Sequence, residues 1–266
     1  MLQNFTDKFM NFLNLQGRVL LSFFRQTGKL ALFTGNSLYY CFRPPFYGKE
    51  LFRQLIEIGF YSLPVVALTT FFSGMVIALQ TYTGFSQLSA EGAVALVVLI
   101  SVTRELAPVM SGLMVAGRIG AAMSAEIGTM RVTEQIDALS TLSTNPYQYL
   151  IVPRILAGIL MLPVLVLLGD IIGICGGYAI GVGKLDFNAS TYLINTWEYL
   201  KPMDIISGLV KASVFGFIIT LMGCYNGFNS KGGAQGVGQA TTNAVVSSCI
   251  LILIFNYLLT ELFFTV

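Results

Sequence analysis

The 266-residue sequence contains no histidine and only four cysteines. The cysteines stand singly at positions 41, 175, 224 and 249, without the paired spacing of zinc sites or disulfide frameworks. The lack of histidine also excludes Ser–His and Cys–His nucleophile pairs, which the commonest hydrolases use. We therefore expect no metal site, no disulfide and no catalytic residue in this chain.

Charged residues are scarce as well. They make up 11% of the chain, whereas hydrophobic residues make up 55%, and the mean hydropathy is +0.74. This composition is too apolar for an ordinary soluble domain. The formal net charge is only +2, and no run of Lys and Arg lies beside aromatic residues, so the features of nucleic-acid binding are missing. The composition indicates a polytopic membrane protein without a nucleic-acid partner.

A nucleotide-binding signature is also missing. The pair Gly183-Lys184 would need glycine at position 178 and Ser or Thr at position 185 to form a phosphate-binding loop. The sequence has Tyr178 and Leu185 at those positions. We therefore expect no cofactor in this chain, and any ATP and Mg²⁺ would be bound by a separate partner.

Five apolar stretches predict the architecture. They lie at about 55–82, 91–128, 149–180, 203–225 and 244–264. As helices, they are long enough to cross about 30 Å of hydrocarbon. Residues 184–202 are polar and aromatic, which suits a small extracytoplasmic helix or loop at the membrane–water boundary. The sequence thus predicts an all-α polytopic membrane protein with five transmembrane helices.

Residues 1–54 are expected to form an N-terminal region that is separate from a transmembrane domain at 55–266. A polar stripe recurs there with helical spacing at Arg18, Ser22, Arg25 and Lys29. An amphipathic helix of this kind fits the plane of a membrane surface, with its basic side toward anionic head groups. The alternative is a soluble helix that packs on a partner.

The distribution of Lys and Arg sets the predicted orientation, because these residues collect in cytoplasmic loops. With the N-terminus in the cytoplasm, only Lys184 and Lys201 lie on the opposite side. Arg104 and Lys211 lie inside predicted spans, and every other Lys and Arg is cytoplasmic. Five spans place the C-terminus on the side opposite to the N-terminus.

Charged residues inside the spans are the first candidate site. Arg104 and Glu105 adjoin in the second span, and Lys211 lies in the fourth. Because charges at bilayer depth are costly, such residues face a bundle interior or a wet cavity. We predict that these three form a polar cluster in a cavity otherwise lined by apolar side chains. The alternatives are an ion pair that only fixes helix packing, or a proton relay. Asp170, in the third span, has no predicted role.

Small residues follow the charged pair at every fourth position. They are Gly112, Ala116, Gly120, Ser124 and Gly128. In lipid there is little hydrophobic drive between helices, so faces of small residues let helices approach and pack. We predict a helix-packing face here, either within the protomer or across a dimer.

A short amphipathic helix is predicted at about 130–142, between the second and third spans. Thr133 is expected to cap its N-terminus, with Glu134 and Asp137 in the first turn. A helix that is apolar on one side and acidic on the other suits docking into a groove of a soluble partner. The alternative is that it lies on the membrane, where anionic lipid would repel its acids. The candidate contact residues are Arg131, Thr133, Glu134, Ile136, Asp137 and Leu139.

The central run carries a family resemblance. RELAPVMSGLMVAGRIGAAMSAEIGTMRVTEQIDAL, followed by NPYQYLIVPRILA, resembles the signature of MlaE (YrbE)-type permeases, the membrane subunits of MCE-associated ABC transporters. The match is specific over about 104–163. Chain length, the N-terminal amphipathic helix and the number of spans agree over nearly the whole chain.

The resemblance implies a homodimer in the bacterial inner membrane, with the C-terminus in the periplasm. It also implies a cytoplasmic ABC ATPase, a STAS-domain protein bound to that ATPase, and a periplasmic ring of MCE-domain subunits. The family moves phospholipids between the inner membrane and the periplasm and so maintains outer-membrane lipid asymmetry. By the same resemblance, residues 133–139 match the coupling helix that contacts the ATPase. Arg104 and Glu105 match the charged pair of the family's lipid pocket, and Lys211 lies where the family has a membrane lysine.

The expected function is therefore that of a phospholipid permease subunit that is not itself an enzyme, with ATP hydrolysed by the partner. The alternative is an ion- or proton-coupled secondary transporter that acts without an ATPase. Such transporters show inverted repeats with interrupted helices in both halves, and five spans do not divide into two equal halves. A scaffold that only anchors a periplasmic protein would leave the buried charges without a purpose.

Overall fold

The computed structural model describes residues 2–85 and 92–264, and these form helices and short connections without a β-strand. The described residues include five helical segments that are long and apolar enough to cross a membrane. The predicted all-α membrane architecture with five spans is therefore confirmed.

The chain divides into two compact units, Met1–Pro44 and Pro45–Val266. The first unit consists of helix α1 (Leu2–Cys41), on which the basic side chains of Arg18, Arg25 and Lys29 are exposed. The division lies earlier than the boundary predicted between residues 54 and 55. The reason is that the helix after Pro45 packs against the third span instead of continuing α1.

The first span combines a short helix and a long one. Helix α2 (Gly48–Ile58) is followed by a 3₁₀ turn (Phe60–Ser62) and by α3 (Leu63–Phe85). At 1.5 Å per residue, α3 alone rises about 35 Å, which is enough to cross the hydrocarbon. Residues before Leu63 therefore lie near the edge of the membrane.

The second span is longer than a bilayer requires. It comprises α4 (Gly92–Ser101), α5 (Ala107–Val115) and α6 (Ala121–Val132), joined by π-helical segments at Val102–Leu106 and Ala116–Gly120. This rod rises about 60 Å, twice the thickness of the hydrocarbon, so one end projects from the membrane. The second span was predicted to start near residues 91–93, and α4 begins at Gly92. Position 91 lies outside the described residues.

After α6, the short helix α7 (Gln135–Thr141) leads to a π-helical turn (Tyr147–Ile151) and the third span, α8 (Val152–Gly183). Residues 184–202 contain the short helix α9 (Ala189–Tyr199). Asn188 caps α9, because its side-chain oxygen accepts hydrogen bonds from the backbone N–H groups of Ser190 and Thr191.

The fourth and fifth spans are α10 (Pro202–Phe228) and α11 (Gly233–Phe264). Helix α11 begins well before the predicted position 244. Its first turns contain Gly, Gln, Thr and Asn. These residues are helical, but their low hydropathy gave no sign of a transmembrane helix. The apolar stretch of α10 is 61% buried and that of α11 only 11%, so α10 is the centre of the bundle and α11 lies at its surface.

Glycines set the spacing between the central helices. A Cβ atom at Gly74 of α3 would overlap the carbonyl oxygen of Gly173 in α8, and one at Gly216 of α10 would overlap that of Gly158 in α8. These helices therefore touch backbone to backbone. Such close approach is the usual means of packing helices in lipid.

Candidate functional site

Lys211 lies at the centre of a polar cluster inside the bundle. Its side chain is fully buried, and its Nζ atom lies 2.7 Å from Glu105 Oε1. Nζ also donates to Thr260 Oγ1 at 2.7 Å and to the backbone oxygen of Arg104 at 2.9 Å. All three N–H bonds of the ammonium group thus have acceptors, which a buried charge requires.

The free carbonyl group of Arg104 has a simple origin. In an α-helix this oxygen would accept from the backbone nitrogen four residues later, which belongs to Pro108 and carries no hydrogen. The chain is π-helical over Val102–Leu106 at this point. The proline therefore leaves a backbone acceptor for Lys211, and this acceptor holds α10 against the second span.

Glu105 faces two ways. Its Oε1 atom bonds Lys211, and its Oε2 atom accepts from Asn256 Nδ2 at 2.8 Å. Thr260 Oγ1 lies 2.9 Å from Oε1. The side chain of Glu105 is nevertheless 39% exposed on the surface of the single chain. The carboxylate of Glu105 is thus held by α10 and α11, while part of its side chain is exposed at membrane depth.

Arg104 makes a separate ion pair. Its Nε and Nη2 atoms each lie 2.8 Å from Asp204 Oδ1, near the start of α10. Its guanidinium carbon lies 4.2 Å from the ring centre of Phe264. Of the three residues predicted to cluster, Lys211 and Glu105 form an ion pair. The guanidinium group of Arg104 pairs with Asp204, and only the backbone oxygen of Arg104 contacts Lys211.

Three residues of this network were missed by the sequence prediction: Asp204, Asn256 and Thr260. Asp204 lies in the first turn of α10, where an acidic residue is common because it complements the helix dipole, so it did not stand out in the sequence. Asn256, Thr260 and Phe264 recur at i, i+4 and i+8 on α11. The i, i+4 spacing of the two polar residues, Asn256 and Thr260, within an apolar span was a usable signal.

The predicted ladder of small residues is buried along its whole length. A Cβ atom at Gly223 of α10 would lie 3.1 Å from the carbonyl oxygen of Gly120, and one at Gly227 would lie 2.8 Å from that of Ser124. Of the two predicted alternatives, the structure shows contact within the protomer. The ladder packs against α10 and, at Gly112 and Gly128, also against α11.

Thr133 was predicted to cap the short helix between the second and third spans, and the structure shows that it does not. It ends α6, and its hydroxyl donates to the carbonyl oxygen of Thr129 at 2.8 Å. Glu134 then adopts a left-handed conformation with φ of 60° and precedes α7. The predicted segment 130–142 is therefore the end of α6, a sharp turn and a shorter helix. Sequence spacing missed the turn because left-handed backbone is unusual outside Gly and Asn.

The two sides of α7 differ as predicted. Ile136 is buried and Leu139 is half-buried, whereas Glu134 and Asp137 are exposed. Arg131 of α6 forms an ion pair with Asp137, with Nη1 2.7 Å from Oδ1. This contact connects α7 to the end of the second span.

A second ion pair joins the helices on either side of α7. Arg154 of α8 lies 2.8 Å from Glu126 of α6 and also donates to the carbonyl oxygen of Leu150 at 2.6 Å. Arg154 is buried, and such a pair holds the two helices together. Asp170, in the middle of α8, is also buried, and its Oδ1 atom has no hydrogen-bond partner among the described residues.

Comparison with known proteins decides the family. The model of the family "Permease MlaE" matches residues 51–262, which is most of the chain. The chain belongs to the MlaE permease family. This MlaE-family protein is therefore a multi-pass membrane permease of the ABC type, and the family implies that ATP is hydrolysed by a separate subunit.

Relatives of this MlaE-family permease cover nearly all of it. A probable ABC transporter permease protein of Rickettsia bellii is 59% identical over 257 residues, covering 97% of this chain and 99% of that protein. A probable ABC transporter permease protein of Synechocystis is 41% identical over 216 residues, covering 81% of this chain and 82% of that protein. The intermembrane phospholipid transport system permease protein MlaE of Haemophilus influenzae is 34% identical over 263 residues, covering 96% and 98%.

Membership of the MlaE family decides between the functions predicted from sequence. An ABC permease works with an ATPase partner, so the alternative of a secondary transporter without an ATPase is not supported. The family match includes α7 and the whole polar cluster.

Proposed function

We propose that this permease moves phospholipids between the bacterial inner membrane and the periplasm, and so maintains the lipid asymmetry of the outer membrane. The observation that carries the proposal is the pair formed by fully buried Lys211 and partly exposed Glu105. An exposed carboxylate at membrane depth is costly unless it faces a cavity or a second chain. A phospholipid cavity that forms between two copies of this chain meets that requirement.

The homodimer is part of the proposal. Helix α11 carries Asn256 and Thr260 toward Glu105 and leaves most of its apolar surface uncovered in the single chain. A second copy packed near α11 would enclose Glu105 at the interface. The relative from Haemophilus influenzae is named for intermembrane phospholipid transport, which supports a lipid as the ligand.

The ATPase would act through α7. Glu134, just before this helix, and Asp137 on it are exposed. The Arg131–Asp137 pair connects α7 to the second span, and the Arg154–Glu126 pair connects the second span to the third. Closure of two ATP-bound subunits would push α7, and α6 and α8 would transmit the displacement to the cavity. ATP and Mg²⁺ are bound by the ATPase in this scheme, and the chain itself binds no cofactor.

The same proposal places the N-terminus in the cytoplasm and the C-terminus in the periplasm. This orientation puts α7 on the ATPase side, together with Lys49, Arg53 and Lys231. The remaining partners are a STAS-domain protein on the ATPase and a periplasmic ring of MCE-domain subunits, which would receive or deliver the lipid above the cavity.

ATP-dependent movement of a fluorescent phospholipid by the reconstituted complex tests this function. Charge reversal in Glu105→Lys should reduce the rate at least about tenfold, because it places two positive charges together at low dielectric. The double variant Glu105→Lys with Lys211→Glu restores opposite charges and should recover part of the rate. Lys184→Glu, in the connection outside the spans, is the control. Unimpaired lipid transport by Glu105→Lys would contradict the proposal.

A further inference from the structure

A cavity at the edge of the membrane is separate from the polar cluster. Its volume is about 310 Å³, and it lies between the first and second spans. The lining residues are Arg53, Ile56, Glu57, Tyr61 and Arg118. Arg118 lies about 20 Å from Glu105 along the axis of the second span, so the two sites do not overlap.

Arg118 is held in place but its charge is not balanced. Its Nη1 atom donates to Ser62 Oγ at 2.7 Å and to the carbonyl oxygen of Glu57 at 3.4 Å. Arg104, Arg131 and Arg154 each pair with a carboxylate. Within residues 2–85 and 92–264, Arg118 forms no such pair, and its Nε and Nη2 atoms have no hydrogen-bond acceptor. Half of a rigid guanidinium group is therefore available to a ligand.

The depth of the cavity matches the lipid head groups. Helix α3 crosses the hydrocarbon from Leu63 onward, so Ser62 and its partner Arg118 lie at the membrane edge on the side of α2 and α7. Tyr61 is 58% exposed there, as tyrosines at membrane interfaces are. Arg53 is exposed too, and its 4.0 Å contact with Glu50 is too weak to hold it.

The charges of the lining residues define the ligand. Guanidinium groups bind phosphate through paired hydrogen bonds, and Arg53 and Arg118 both line the cavity. Glu57 lines the same cavity, and a carboxylate there would attract an ammonium group and disfavour a purely anionic ligand. We propose that this cavity binds the zwitterionic head group of a phospholipid, with its phosphate at Arg53 and Arg118 and its ammonium group at Glu57.

This lipid would be held at the outside of the protomer, in the leaflet on the side of α7. Basic pockets between transmembrane helices are known places for lipid head groups. A lipid bound there would bridge α2 and the second span, the two elements that Arg118 already connects. The site does not depend on the proposed transport function, because its occupancy is measured without ATP.

Titration of the delipidated full-length chain with phosphatidylethanolamine in detergent, followed by native mass spectrometry, tests the site. The Arg118→Gln variant should bind the tightest lipid about tenfold more weakly, the factor expected from losing a charge-assisted hydrogen bond. Lys184→Gln, at an exposed lysine in the connection before α9, should bind as the unchanged chain does. Equal affinities of the Arg118→Gln variant and the unchanged chain would overturn the proposal.

Two further variants cover folding and specificity. Because Arg118 also bonds Ser62, its replacement could affect folding as well as lipid binding. Arg53 is exposed and makes no such bond, so Arg53→Gln should weaken lipid binding several-fold without affecting the fold. Glu57→Gln should remove the preference for phosphatidylethanolamine over phosphatidylglycerol. A titration with inorganic phosphate separates the sources of the anion. If phosphate alone binds in an Arg118-dependent way and the lipid does not, the cavity is a free-phosphate site and the lipid assignment is wrong.

Discussion

Burial should make the Lys211–Glu105 pair much stronger than an exposed pair of the same length. Lys211 is fully buried, and its charge has one carboxylate partner at 2.7 Å. The change Glu105→Gln keeps the size of the side chain but leaves the ammonium group with neutral acceptors only. Removing one member of a buried pair costs about 3–5 kcal/mol. Because Glu105 is 39% exposed, we expect a value near the lower end.

The converse change Lys211→Met should cost less, because Glu105 keeps its hydrogen bonds to Asn256 and Thr260. The double variant should be no less stable than Glu105→Gln alone, so the coupling energy should be at least as large as the cost of Lys211→Met, which we expect to be about 2 kcal/mol. Reversible unfolding in mixed micelles with sodium dodecyl sulfate measures the three free energies. This assay contains no ATPase and no transported lipid, so it reports the structural contribution alone.

The Arg131–Asp137 pair provides a matched control. It has the same N–O distance of 2.7 Å, but its side chains are 36% and 61% exposed. Exposed pairs contribute about 0.2–1 kcal/mol. If the cycle at Lys211 and Glu105 gives no more coupling than the cycle at Arg131 and Asp137, then burial does not strengthen the pair, and the energetic basis of the proposed cluster is refuted.

Two other predictions address α7 and α9. Replacing Glu134 and Asp137 by Lys should reduce co-purification of the ATPase at least about tenfold, because two exposed acids become basic. The control is Glu198→Lys on α9. Equal ATPase binding by the unchanged chain, the double variant and the control would contradict the docking role of α7. Burial raises the pKa of Tyr192 to about 12, so the unfolded chain loses this proton near pH 10 and the folded chain does not. Stability should be full below pH 10 and fall by about 3 kcal/mol up to pH 12. Unfolding at pH 7 and pH 11 should show this alkaline loss in the unchanged chain and not in Tyr192→Phe; an equal loss in both would contradict the assignment.

The span positions were predictable because they depend on local composition. Long apolar runs identify the helices wherever the chain crosses lipid, and the positions predicted for α8 and α10 agree with the structure to within a few residues. The apolar runs did not predict the start of α11, because its first turns are polar although they are helical. They also failed at Glu134, because a left-handed residue between two helices leaves no mark in the spacing of apolar side chains.

For the polar cluster, the sequence predicted which residues are polar at membrane depth but not which of them pair. The presence of Arg104, Glu105 and Lys211 inside spans is a local fact, and it was enough to predict buried polar contacts. The assignment of partners was not local. Asp204 lies 100 residues from Arg104, and Asn256 lies 151 residues from Glu105.

The sequence by itself determined a five-span, all-helical permease, its polar residues at membrane depth and its family, because hydropathy and motifs are properties of consecutive residues. Only the tertiary structure decided which charges pair. The packing of α10 between α8 and the second span brings Lys211 to the carbonyl group that Pro108 leaves free. The contact between Arg118 of the second span and Ser62, in the 3₁₀ turn before α3, likewise joins distant segments beside the cavity at the membrane edge. Both sites arise from contacts between distant segments, and no pattern of neighbouring residues encodes them.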